Sequence, residues 1–337
     1  MAERVGKRKS TIYDIAAAAD ASAATVSLVL NGDWSRYRIK EETSERILKT
    51  ARELGYNVNL TARGLRLSRS GLAGMILPHY RNRFFADLAE AFEVGARQRG
   101  LCPIVVSTQR NAEVEAKVVS TLLAQRVEFL FIAGVSDPTA LNRTCEEASV
   151  PCVNVDLPGK GAPSVVSDNK AGAFQLTQKL IDTVRASGGS AGDMLFLGGV
   201  AGEYATDNRV LGYFEALRCA GVTPREEMLS RCGYRPENSC NALHDYVALR
   251  GRLPSGLFVN SITAFEGVVR FPASAESLRD CVVGCFDWDP FAAHLPFTVL
   301  MLRQDVETMM ELAFASLDSE RQRARDILVV PPVLERA

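Results

Sequence analysis

Between residues 10 and 32 the apolar positions recur at helical spacing, and the polar residues among them fall where helices begin and end. Ile12, Ile15 and Ala19 share one face behind Thr11, which forms a capping-box signature with Asp14 three residues on. Ser22 can cap a second helix over 23–30, with Val26, Val29 and Leu30 apolar, and Asn31-Gly32 stops it. A third helix, predicted over 41–54, supplies Ile47, Ala51 and Leu54 and ends at Gly55. Helices this short bury a core only as a set, so the pattern predicts a three-helix unit. Its second helix projects Ala23, Ala24, Thr25 and Ser27 from its first turns, and small side chains there let a helix sit deep in a DNA groove.

From residue 71 the rhythm changes to strands alternating with helices, the mark of parallel sheets. Strands are predicted over 71–78, 103–107, 128–134 and 151–156, with helices over 84–99, 112–125 and 139–148 between them. The alternation then recurs, with helices over 170–186, 208–220, 238–249, 263–270 and 305–317 and strands over 193–198, 256–260, 281–286 and 327–334. Two successive α/β blocks predict two lobes, with a break near 164–169 and the chain recrossing near its end. The expected fold class is an all-α helix-turn-helix head on an α/β body with parallel sheets. Ligands in such sheets bind beyond the carboxyl ends of the strands, which singles out His79, Asp156, Asn260 and Asp287. Each is also a residue type that serves as a cap or turn.

Charge separates the two parts. Residues 1–70 hold 13 Lys and Arg against 8 Asp and Glu, a net +5, leaving 26 against 32, or −6, for the rest of a chain with 39 and 40 in all. A basic head on an acidic body favours phosphate contacts and weighs against a purely structural three-helix cap. The longest apolar run, 129–135, is strand length and far short of the roughly 18 residues of a membrane helix. The basic start MAERVGKRKS leads into no apolar segment, so the expectation is a cytoplasmic protein without a secretory signal. The eight cysteines are scattered without C-x-x-C, and His79, His244 and His294 have no ligand spacing, so buried free thiols and no metal are expected.

Two enzyme signatures fail on context. Gly188-Gly189-Ser190-Ala191-Gly192 fits G-x-S-x-G, but it ends a predicted helix and precedes a strand, the reverse of a nucleophile elbow. Gly198-Gly199-Val200-Ala201-Gly202 follows a strand yet lacks G-x-G-x-x-G spacing. No catalytic residue and no cofactor are expected.

The head also carries T-I-Y-D-I-A, S-x-x-T-V-S, V-L-N-G and E-R-I-L-x-x-A-x-E-L-G-Y, and in these it resembles the lactose-repressor (LacI/GalR) family of bacterial transcription regulators. The resemblance divides the chain into a DNA-binding domain over 1–57, a hinge helix and linker over 58–70, and a two-lobed periplasmic-binding-protein-like effector and dimerisation domain over 71–337. Lobe 1 is expected at about 71–166 and 304–325, lobe 2 at about 167–303 and 326–337. The hinge matches N-L-T-A-R-G-L-R from Asn59, with Leu65 where the family wedges a leucine into the minor groove. The implied DNA-binding set is Thr11, Ser22, Ala23, Ala24, Thr25, Ser27, Asn31, Tyr56, Asn59, Ala62 and Leu65. Val58 stands where a proline is usual and Leu28 where many members carry arginine, so no operator sequence carries over. The long loop GDWSRYR resembles the fructose-repressor branch.

In the body, Phe84-Phe85 matches the pair lining the family's cleft, Arg209 its R-x-x-G arginine, Asn260 and Asp287 the A-N-D asparagine and G-F-D aspartate, and 302–305 the V-R-Q-D that recrosses the lobes. Ser261 and Cys285 depart from the usual Asp and Gly. The implied effector-binding set is His79, Phe84, Phe85, Asp156, Arg209, Asn260, Asp287 and Gln304. Arg209 is expected to open the helix after the 199–207 loop, where the helix dipole disfavours a cation unless its guanidinium has another use. The resemblance implies a homodimeric regulator, usually a repressor, that binds double-stranded operator DNA. A small molecule between the lobes, a sugar or sugar phosphate leaning towards fructose-containing sugars, controls it. A sugar-binding protein without regulatory role and an α/β enzyme are the alternatives.

Overall fold

A computed structural model describes residues 10–56, 69–271, 278, 280–318 and 327–336. The chain forms two compact units, one up to Ser70 and one from Gly71.

The first unit holds α1 (Ile12–Ala18), α2 (Ala23–Leu30) and α3 (Glu41–Glu53). The capping box at its start is complete: the Thr11 N–H donates to Asp14 Oδ2 at 2.7 Å and the Asp14 N–H to Thr11 Oγ1 at 3.4 Å. Ser22 Oγ accepts from the Thr25 N–H at 3.0 Å, so α2 starts where its cap dictates. Gly32 ends it at φ +81°, a left-handed conformation that glycine adopts without strain. No side chain caps α3, but Glu41 and Glu42 in its first turn suit the helix dipole. The axes of α1 and α2 bend by 108°, within the range of a helix-turn-helix. Ile15, Val26, Val29, Ile47 and Ala51 close the small core. The proposed hinge residues Asn59, Ala62 and Leu65 lie outside the described residues.

In the second unit β1 (Leu72–Leu77), α4 (Arg83–Gln98), β2 (Cys102–Ser107), α5 (Ala112–Ala124), β3 (Leu130–Ala133), α6 (Pro138–Glu147), β4 (Cys152–Val155) and β5 (Ser164–Ser167) build the first lobe. The chain then passes through α7 (Asn169–Ala186), β6 (Met194–Leu197), α8 (Tyr204–Cys219), β7 (Leu229–Ser230), α9 (Pro236–Arg250), β8 (Gly256–Val259), α10 (Ile262–Arg270), β9 (Val282–Phe286) and β10 (Val299–Arg303). It returns through α11 (Val306–Asp318) to β11 (Ile327–Val330) and ends at β12 (Val333–Arg336).

The first sheet has the order β11-β5-β4-β3-β1-β2, with every neighbour parallel. The second has the order β12-β10-β9-β8-β6-β7, parallel except for the β10–β12 pair. Helices cover both faces, so central strands such as β3 and β9 are buried throughout, and this is why they read as unbroken apolar runs. No single described helix is long and apolar enough to cross a membrane.

Several boundaries differ from the expectation. The predicted break at 164–169 contains β5, whose Ser-Val-Val-Ser is too short to stand out as a run, and the lobe crossing follows it. The short β7 and β10 are additional strands. Pro331-Pro332 splits the single strand expected over 327–334, because neither proline can donate to a ladder. As a result β11 joins the first sheet, not the second lobe, and only β12 joins the second. Among the described residues the chain thus crosses between the sheets after Ser167, after Arg303 and at Pro331-Pro332. Helix α8 begins at Tyr204, directly after the glycine loop, so Arg209 lies more than a turn inside it rather than at its start. The dipole argument for Arg209 does not hold. Two of the cysteines expected to be buried, Cys102 at the start of an edge strand and Cys219 at a helix end, are exposed.

Helices α7 and α8 pack closely side by side. A Cβ on Gly212 would stand 2.1 Å from the Lys170 carbonyl oxygen and 2.9 Å from the Phe174 nitrogen. Only glycine permits this approach, and it presses α8, with Arg209 on it, against the start of α7.

Candidate effector cleft and DNA-reading helix

In the head, Val26 and Val29 turn inward, which leaves the opposite face of α2 to Ala24, exposed, and to Ala23, Thr25 and Ser27, partly exposed. Ser22 and Thr11 are engaged in caps, and Asn31 ends α2 with its amide 3.5 Å from Ser27 Oγ. Tyr56 packs against the head core. Two exposed aromatics went unsingled in the sequence: Tyr13 on α1, 76% exposed, and Tyr37 in the long loop, 56% exposed with the Arg36 guanidinium 5.9 Å from its ring centre. For Tyr37 the signal in the sequence was an aromatic flanked by Arg36 and Arg38; Tyr13, between Ile12 and Asp14, carried none.

In the body, residues that follow the carboxyl ends of β1, β4, β9 and β10 converge on one cleft. His79, Phe84, Phe85, Asp156, Arg209, Asp287 and Gln304 all line it. Asn82 caps α4 through its side chain, accepting from the Phe84 N–H at 3.0 Å, and so turns the phenylalanine pair towards the cleft.

Arg209 is the centre of the second lobe's wall. It is only 4% exposed, donates through Nε to Asn169 Oδ1 at 2.8 Å and through its terminal nitrogen to the Asn260 carbonyl, and lies 3.7 Å over the Phe286 ring. Asp287 accepts from the Ile262 N–H at 3.0 Å and from Gln304 Nε2 at 2.7 Å. Gln304 Oε1 in turn accepts from Ser167 Oγ at 2.5 Å, which ties two of the lobe crossings together. Burial raises the Asp287 carboxyl, with Arg209 acting against it. The Asp156 carboxyl is pushed up to about 7 by burial, although Arg209 and Arg110 pull it down. Asp156 has φ +76°, a conformation that a non-glycine residue adopts at a cost and that recurs at functional sites. The His79 imidazole is lowered by burial and then by Arg110, Arg81 and Arg235.

Asn260 is placed differently from the expectation. It is fully buried behind Arg209 and absent from the lining, with its amide 3.5 Å from Thr206 Oγ1 and its side-chain oxygen without a partner. Its backbone carbonyl, not its side chain, serves the cleft.

The sequence did not disclose the bridges across the cleft. Arg110, in the loop after β2, forms an ion pair with Glu203 at the start of α8 and stacks 4.5 Å over Tyr234, whose hydroxyl donates to the same carboxylate. A second bridge joins Arg83 to Asp289 at 3.3 Å, beside Trp288. Ser261, a departure from the family pattern, caps α10 by accepting from the Ala264 N–H at 3.2 Å and also lines the cleft.

Residues 11–59 match the bacterial regulatory proteins of the lacI family, and residues 70–248 match the periplasmic binding proteins and sugar binding domain of the LacI family. The ribitol operon repressor of Klebsiella aerogenes is 41% identical over 192 residues, 57% of this chain and 71% of that protein. The sucrose operon repressor of Klebsiella pneumoniae is 30% identical over 299 residues, 88% of this chain and 86% of that protein. In fold, the lac repressor dimer bound to operator and the anti-inducer ONPF is similar at a TM-score of 0.74 and 20% identity, over 98% of each chain. The chain belongs to the LacI family: it is a helix-turn-helix DNA-binding transcription regulator, not an enzyme, with the family's sugar-binding domain.

Proposed function

We propose that the chain acts in the cytoplasm as a homodimeric repressor whose effector, a small sugar or sugar alcohol, binds between the lobes at His79, Phe84, Phe85, Asp156, Arg209, Asp287 and Gln304. The observation that carries this reading is the convergence of strand-end polar groups from both lobes on one cleft. Carboxylates and guanidinium forks meet vicinal hydroxyls, and Phe84 and Phe85 offer an apolar wall to carbon–hydrogen faces. Similarity to the repressors of a ribitol and a sucrose operon supports polyhydroxy compounds as the candidates, with fructose-containing sugars beside them. A ligand that touches both lobes favours one lobe arrangement over another, and that differential binding is what shifts DNA affinity. In the head, Ala23, Ala24, Thr25 and Ser27 face the major groove, and the hinge with Asn59, Ala62 and Leu65 enters the minor groove.

One helix reads only a few base pairs, so two heads are needed for a specific site. Selection from a random duplex library is expected to return a near-palindrome with half-sites about one helical turn apart. Affinity for it should fall by roughly 10³-fold or more between 50 and 200 mM salt. Equal affinity for an isolated half-site would contradict the dimeric reading.

A further inference from the structure

Three guanidiniums and four carboxylates meet in or beside the cleft, with Arg83 paired to Asp289, and all but one of these groups have a hydrogen-bond partner among the described residues. Arg110 is neutralised by Glu203, which also accepts from Tyr234 and Thr206. Arg209 is held by Asn169, the Asn260 carbonyl and the Phe286 face, and Asp287 accepts from Ile262 and Gln304. Asp156 lines the cleft, is 6% exposed and accepts no side-chain hydrogen bond from any described residue. Its backbone is held at φ +76°. The His79 imidazole is lowered by burial and then by Arg110. Arg81 and Arg235 face His79 but are exposed and outside the lining, where solvent screens them.

This balance discriminates between effectors. The spare N–H donors of Arg110 and Arg209 can meet hydroxyl oxygens. A phosphate dianion, by contrast, would need a cation in excess, whereas the charges of Arg110 and Arg209 are already matched by Glu203, Asp287 and Asp156. A hydroxyl supplies what Asp156 lacks, a donor with no charge.

Resting on the sugar or sugar-alcohol reading above, we propose that Asp156 is the specificity-determining residue of the cleft, accepting hydroxyl hydrogen bonds from an uncharged polyhydroxy effector and excluding its phosphate esters. The test is calorimetry on the full-length protein at pH 7.5. One panel holds ribitol, D-ribose, D-fructose and sucrose, and the other ribitol 5-phosphate, ribose 5-phosphate and fructose 1-phosphate. At least one uncharged compound is expected to bind about a hundredfold or more tighter than its ester. Asp156→Asn should weaken that compound by about ten- to a hundredfold and narrow the discrimination. Asparagine tolerates the left-handed backbone, so this variant is expected to fold, checked by its thermal melt, with Asp156→Ser as a second probe of the same position. Preferential binding of an ester, or unchanged affinity for the uncharged compound in both variants, overturns the assignment while leaving a polyhydroxy effector in place. Binding of neither panel overturns that broader reading as well.

Discussion

Arg209→Ala is expected to abolish the response to effector and to cost the body about 3–5 kcal/mol of stability at pH 8. The side chain is the counter-charge for two buried carboxylates, Asp156 and Asp287, and its nitrogens satisfy Asn169 and the Asn260 carbonyl. Alanine leaves those acceptors unpaired and the carboxylates without their main cation. The sign of the pH dependence follows. A buried acid whose carboxyl is raised holds its proton in the folded state over a window where the unfolded chain has lost it, so stability falls as pH rises through that window. In the wild type the Asp156 window runs from the ordinary carboxylate range to about 7. Without Arg209 both carboxyls rise further, so the deficit should be smallest near pH 5 and largest at pH 8. Chemical denaturation at the two pH values checks this. A deficit independent of pH would remove Arg209 from its role as counter-charge.

Gly212→Val is expected to destabilise the body by about 3 kcal/mol or more, enough to lower the yield of folded protein. Helix propensity alone points the other way, since a glycine inside a helix is unfavourable by roughly 0.5–1 kcal/mol relative to alanine. The obstacle is backbone: the new Cβ would meet the Lys170 carbonyl at 2.1 Å and the Phe174 nitrogen at 2.9 Å, and neither can rotate away. Helices α7 and α8 would have to part, and the Arg209–Asn169 hydrogen bond spans that same interface. Denaturant midpoints for Gly212→Ala and Gly212→Val should descend in that order. A variant as stable as wild type would show that the helices are free to separate.

How far the sequence disclosed this molecule depended on whether the signal was local. Caps are local, and Thr11, Ser22 and Gly32 act in the head as their positions imply. Buried parallel strands are local too, because they are apolar throughout. Strand-end polar residues marked the cleft well, and His79, Asp156 and Asp287 line it. Asn260 obeyed the same rule yet turned its side chain away, since periodicity says which residue ends a strand but not what its rotamer faces. Short strands such as β5 and β7 take their pairing from neighbours and carry little pattern of their own. The bridges between lobes were hidden for a similar reason. Arg110 and Glu203 stand 93 residues apart, and Arg83 and Asp289 stand 206 apart, so only the tertiary fold reveals that they meet. The start of α8 was misplaced because Tyr204-Ala205-Thr206 carries neither a breaker nor a strong cap.

The account stands or falls on coupling between the cleft and DNA. The measurement is fluorescence anisotropy of the selected palindrome, titrated with full-length protein at fixed salt, with and without a saturating uncharged polyol identified by calorimetry. The account predicts that the polyol changes the operator Kd by about tenfold or more, a coupling free energy of about 1.4 kcal/mol or greater. It also predicts that Arg209→Ala removes the change. A polyol that binds in the cleft yet leaves the operator Kd of the wild type unaltered would contradict it.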